Sequence, residues 1–257
     1  MMKRIFAMFF LATAFCAAQT QQLEPAIPSS QDHDMSGMNM SSSSASPGSA
    51  DAMHSMESHH MDMGPHMKMT TPRALKPGDQ EKADAVAQAA RRAAETYTDY
   101  KAALADGFEI FMPNVPQKQY HFTNYRYAFE NAWHFNPDHP TSLLYEKHGD
   151  RYKLIGVMYT APKRFTEEQL DERIPLSIAQ WHAHVNLCLP PSGTLKNVSG
   201  RPGQFGLAGS ISNKEACDAA GGRFVPQIFG WMVHVYPFAK SAQDVWSVER
   251  QMHNHMD

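Results

Sequence analysis

Cysteine is scarce in this chain, three residues in 257, and the other absences are as telling. No block of lysine or arginine occurs and the formal net charge is only -3, so electrostatic capture of nucleic acid or of an anionic membrane has no basis. The one long apolar run, Ile5 to Phe15, is too short to span a bilayer, which excludes stable membrane insertion by that segment. No Gly-x-Ser-x-Gly elbow and no phosphate-binding glycine loop is present, which removes the common routes to acyl hydrolysis and nucleotide chemistry. Finally, branched aliphatic and aromatic residues almost vanish between Gln19 and Pro72. A segment so poor in groups to bury cannot offset its ordering entropy.

What is there begins with a secretory pattern. Lys3 and Arg4 precede the apolar run, and small residues follow at Ala17 and Ala18, so cleavage is expected after Ala18 and the mature protein is expected to be periplasmic or secreted. Phe15 directly before Cys16 argues against a lipoprotein signal, which prefers a small residue there. Removing residues 1-18 removes Cys16 and leaves Cys188 and Cys217 as the only pair in a compartment where thiols oxidise. They are expected to form a disulfide, and neither then remains for nucleophilic catalysis.

Residues 19-74 read as a disordered tail, residues 75-250 as a single domain, and residues 251-257 as a short second tail. Asp79 is placed to cap a helix whose apolar or small residues fall at Ala83, Val86, Ala90, Ala93, Tyr97, Tyr100 and Leu104, with Gly107 as its stop. Leu143 to Lys147 and Tyr152 to Thr160, separated by His148, Gly149 and Asp150, read as a hairpin. Thr166 and Gln169 form a capping box for a short helix ending near Glu172, and Ser212 with Glu215 suggests another, ending at Gly221. Ile178 to Leu187 and Phe229 to Tyr236 are further strand candidates. The expected class is α+β: an antiparallel sheet, a long N-terminal helix packed on one face, and one disulfide.

The tail carries the first chemical signal. Between Gln31 and Met69 stand nine methionines (Met35, Met38, Met40, Met53, Met56, Met61, Met63, Met67, Met69) and five histidines (His33, His54, His59, His60, His66). Thioether sulfur is a soft, uncharged donor suited to Cu(I) or Ag(I), and imidazole accepts both oxidation states of copper. Methionine also escapes the disulfide chemistry that consumes thiolates outside the cytoplasm. A mere linker is the plain alternative, yet methionine is a poor choice for an exposed coil open to sulfoxidation. The runs Asp32-His33-Asp34-Met35-Ser36-Gly37-Met38 and His60-Met61-Asp62-Met63-Gly64 resemble the Met/His-rich segments of periplasmic multicopper oxidases and outer-membrane proteins of bacterial copper-resistance systems. The resemblance covers the tail alone and implies copper binding there without oxidase chemistry. Met252, His253, His255 and Met256 repeat the theme near the other end.

Inside the domain, Gln180-Trp181-His182-Ala183-His184-Val185-Asn186-Leu187 alternates with period two, which puts His182 and His184 on one face of a strand. His234 shares a face with Met232 and Tyr236 in a second alternating run, and His121 comes from a third segment. Were these strands neighbours, the four histidines would offer the nitrogen ligands of a copper, zinc or iron site. The alternative is that each is a hydrogen-bonded histidine of a polar sheet face. A cupin-like site would need a Glu soon after His-x-His, and the chain continues Val185-Asn186-Leu187-Cys188 instead. Glu130 and Glu146 are available carboxylates whose ordinary role is solvated surface charge. The motifs Ala103-Leu104-Ala105-Asp106-Gly107-Phe108, Tyr120-His121-Phe122, Leu143-Leu144-Tyr145-Glu146 and Val233-His234-Val235-Tyr236 resemble those of a group of uncharacterised exported bacterial proteins, which implies that His121 and His234 lie in domain-defining segments.

The leading expectation is a periplasmic copper or silver binding protein for metal tolerance or delivery. Its tail would collect ions through Met35, Met38, Met40, His59, His60, Met61, Met63, His66 and Met67, and its domain would hold one at His182, His184, His234 and His121. The alternative is an extracytoplasmic mononuclear metalloenzyme using the same histidines, and a third is a metal-free ligand-binding module.

Overall fold

The computed structural model describes residues 64–114, 117, 119–191, 203–248 and 250, all within one compact unit. The expected signal segment (residues 1–18), residues 251–257 and the tail residues expected as ligands, Met35, Met38, Met40, His59, His60, Met61 and Met63, lie outside the described residues. In chain order the elements are β1 (Met67–Met69), α1 (Asp79–Thr96), α2 (Tyr100–Ala105), β2 (Glu109–Ile110), β3 (Gln119–Thr123), α3 (Tyr125–Trp133), β4 (Ser142–His148), β5 (Arg151–Ala161), α4 (Glu167–Asp171), β6 (His182–Leu189), α5 (Lys214–Ala219), β7 (Arg223–Gln227), β8 (Trp231–Val235) and α6 (Ala242–Val245). The class is α+β. One sheet runs in the order β1-β6-β8-β5-β4-β3-β2, with β7 also on β6, and every pairing is antiparallel.

Strand alternation divides this sheet into two chemically different faces. One carries Leu143, Tyr145, Val157, Tyr159, Ala161, Ala183, Trp231, Val233 and Val235, packed in a single core with Ala83, Val86, Ala90 and Ala94 of α1. Those alanines let the helix axis approach the large aromatic residues of the sheet. The helix is 18 residues long, shorter than the spacing of small residues predicts. It stops at Thr96 because Asp99 takes an extended conformation and accepts a hydrogen bond from Lys101 N–H, capping the separate α2. Tyr145 Oη then donates to the Tyr97 carbonyl left free at the break, 2.5 Å away, and Tyr97 Oη donates to the Asp106 carboxylate. The cap of α1 is Gly78 at φ 90. Asp79, expected in that role, accepts instead from Ser177 Oγ at 2.5 Å and Lys76 N–H at 3.0 Å, bonds that hold its carboxyl below the usual carboxylate range, Ser177 contributing most.

The hairpin β4-β5 turns at Gly149, φ 62, and α4 carries the full capping box of Thr166 and Gln169. For α5 the cap is Asn213, whose Oδ1 accepts from Ala216 N–H at 2.8 Å, one residue beyond the Ser212 that the spacing suggests. Strand β6 begins only at His182, since Ile178 and Ala179 turn their N–H groups to the Pro175 carbonyl. Cys188 at the end of β6 is bonded to Cys217 of α5, Cα atoms 5.5 Å apart. Among the described residues no helix is long and apolar enough to cross a membrane.

The largest departure from sequence expectation lies at the start. Residues 64–74, read as the end of a disordered tail, belong to the fold. Met67, Lys68 and Met69 pair with His184, Ala183 and His182. Around them Thr70 N–H donates to the Trp181 carbonyl at 2.8 Å and Val185 N–H to the His66 carbonyl at 2.9 Å. A strand added to a sheet edge gains main-chain hydrogen bonds that are indifferent to side-chain hydropathy, so the poverty of apolar residues here did not prevent order.

Gly156 shows how tightly the sheet's other face is built. A Cβ there would lie 2.6 Å from the Val235 carbonyl oxygen and 3.0 Å from the Tyr236 ring. Gly156→Ala is expected to destabilise the domain by about 1–3 kcal/mol, as overpacking does, measured by chemical denaturation. A change below about 0.5 kcal/mol would mean that Tyr236 is not held against β5.

Candidate metal centre

Opposite the helix-covered core, the second face of the sheet assembles the histidines. Residues directly paired across antiparallel strands share a face, so the register can be followed strand by strand. Met67 stands opposite His184, and Met69 opposite His182. His182 in turn stands opposite Met232. His234 is opposite Met158 and Met232 opposite Thr160, Met158 is opposite Ser142 and Gly156 opposite Leu144, and Leu144 is opposite His121. The four candidate histidines therefore occupy one face together with Met67, Met69, Met158 and Met232. Leu144, Met158, Met232 and Tyr236 form a small apolar cluster of their own there.

The face is concave. Strands β8 and β3 are separated by β5 and β4, three strand spacings or about 14 Å in a flat sheet. Yet the His121 and His234 rings are 5.7 Å apart between centroids. Phe111, whose N–H donates to the His121 carbonyl at 2.8 Å, likewise meets Phe229 at 5.7 Å. Side chains from strands so distant touch only if the sheet curls toward this face. His182 lies in the middle of the group, its ring 5.1 Å from that of His234 and 5.8 Å from that of His184, both nearly perpendicular. His182 and His234 are 0% exposed and His184 is 5% exposed, while His121 is half-buried. Tyr236 Oη lies 3.4 Å from His234 Nδ1, placing a phenol beside the cluster.

His182, His184, His234 and His121 thus converge, an outcome that alternation within single strands left open. Among the described residues, however, no three His, Cys, Asp or Glu side chains stand as a ready-made ligand set. The thioethers of Met67, Met69, Met158 and Met232 share this face with the imidazoles by register, and the Tyr236 phenol stands beside His234. Sequence reasoning placed Met232 and Tyr236 on His234's face and counted Met67 with the tail. It missed Met158 and the place of Met69 opposite His182, because alternation tells which residues share a strand face without telling which strands are neighbours.

The remaining calls resolve differently. His66, counted with the tail's metal donors, points to the opposite side of β1 from Met67. Its Nε2 is 2.7 Å from the Gly209 carbonyl and its Nδ1 3.4 Å from that of Val185, so it ties the entering chain to the loop before α5. Glu130 is paired with His139 at 2.7 Å, and that histidine, aided by Asn136, holds the Glu130 carboxyl below its usual range. The His139 ring stacks on Tyr127 at 4.3 Å. These contacts fasten the chain after α3 and leave Glu130 far from a role as base. Glu146 lies 3.4 Å from His148 on the exposed end of the hairpin.

No family model, curated protein or solved structure matches this chain.

Proposed function

We propose that this chain is an extracytoplasmic copper or silver binding protein serving metal tolerance or delivery, in which residues 19–63 collect ions and the curled face of the domain holds one. The observation that carries the reading is the register: it segregates His121, His182, His184, His234 and four methionines onto a single concave face, while the opposite face is an ordinary aromatic and aliphatic core. Imidazole and thioether together suit Cu(I) and Ag(I). The secretory pattern and the Met/His-rich tail point to the same compartment and the same ions.

Titration of the mature protein with Ag(I) or Cu(I), against a chain lacking residues 31–63, tests the proposal. The deletion stops at residue 63 because β1 begins at Met67. Several equivalents are expected for the mature chain and one for the shortened one, with folding stability unchanged. Equal stoichiometry would reduce the tail to a linker, and no binding by the shortened chain would remove the domain site.

A further inference from the structure

Within the curled face, one row of residues crosses three adjacent strands. Met69 on β1 is paired with His182 on β6, and His182 with Met232 on β8. We propose that this row, Met69, His182 and Met232, forms a sulfur-nitrogen-sulfur site for a monovalent soft ion, Cu(I) or Ag(I), and that the domain thereby selects against Zn(II) and Cu(II). The inference rests on the domain-binding part of the function proposed above and specifies its ligands and ion class.

Directly opposed residues of an antiparallel pair have their Cβ atoms about 4.5–5.5 Å apart, so a thioether stands on each side of the central imidazole. Methionine has three rotatable side-chain bonds and adapts to irregular gaps, which lets both sulfurs approach an ion held at the ring. The surroundings favour low charge: His182 is 0% and Met232 8% exposed, Met69 is half-buried, and Leu144, Met158 and Tyr236 pack with Met232. A monovalent ion with neutral donors is desolvated there at much smaller cost than a divalent one. The ring of His234, 5.1 Å from that of His182 between centroids, is nearer than that of His184 at 5.8 Å.

The arrangement also gives β1 a task. Met69 lies in a three-residue edge strand that follows the Met/His-rich tail in the sequence, and it supplies the ligand on one side of His182.

Full-length mature protein labelled with 13C at its methionine methyl groups provides a site-resolved test, with Met69→Leu and Met232→Leu serving both as assignments and as variants. On addition of Ag(I), the Met69 and Met232 methyl signals and the His182 ring protons are expected to shift together and saturate in one step. Each Leu variant should weaken that step about tenfold or more and leave the tail's signals unchanged. Zn(II) should leave both methyl signals in place. His182 shifting without the two methyl groups would overturn the thioether site while preserving a domain ion. Shifts confined to tail methionines would overturn domain binding itself.

Discussion

A chain carrying both Cys188→Ser and Cys217→Ser is expected to melt about 10 °C below the parent. The bridge closes a loop of 29 residues, for which the chain-entropy account gives about 3–4 kcal/mol. In a domain of this size each kcal/mol moves Tm by about 2–4 °C. The contacts that the bond secures are visible: Gly206 N–H donates to the Cys188 carbonyl at 2.9 Å, and a Cβ at Gly222 would lie 2.4 Å from Cys188 Sγ, so the chain is packed closely around the sulfurs. Cys188 is six residues along β6 from His182, beyond Val185, where pairing with β7 begins, and beyond Asn186 at φ 58. Ion affinity at the curled face, measured well below the transition, is therefore expected to be unchanged in the double variant. A Tm shift under 2 °C, or a loss of ion binding in the folded variant, would count against this division between scaffold and site.

His182→Leu is expected to separate binding from stability. The imidazole is 0% exposed, stands opposite Met69 and Met232 and lies beside the rings of His184 and His234, so leucine fits in approximate volume. The ion-free domain should lose about 1–3 kcal/mol, the cost of leaving a buried polar partner of the ring unmatched, and remain folded. Its affinity for Ag(I) should fall about 100-fold, because the only nitrogen between the two thioethers is gone. A competition titration with a soft-ion chelator, beside a thermal melt of the ion-free protein, reads both quantities. A large loss of stability with affinity intact would make His182 a structural residue of a polar sheet face.

Local chemistry explains why the two halves of the protein were not equally legible. Period-two alternation placed His182 with His184 and His234 with Met232 and Tyr236, and the hairpin at Gly149 and the capping box at Thr166 have signatures confined to a few adjacent residues. Helix ends were read less well. The break after Thr96, made by the Asp99 cap, leaves the Tyr97 carbonyl to be satisfied by Tyr145 from a strand 48 residues away, and Asp79 is drawn from its expected cap by Ser177, 98 residues away. Strand β1 was not legible by hydropathy at all, since an edge strand is held by backbone bonds to β6.

By itself the sequence determined the class of the fold, the candidacy of Cys188 and Cys217 for a bridge, and the crowding of methionine and histidine into residues 31–69, because each of these follows from composition or from spacing along the chain. Only the tertiary structure decided that β6 lies between β1 and β8, that the sheet curls so that His121 meets His234, and that Met69 and Met232 flank His182. Strand order and curvature come from contacts between residues far apart in sequence. A donor set drawn from three strands therefore has no linear motif, although each of its members can be read in place.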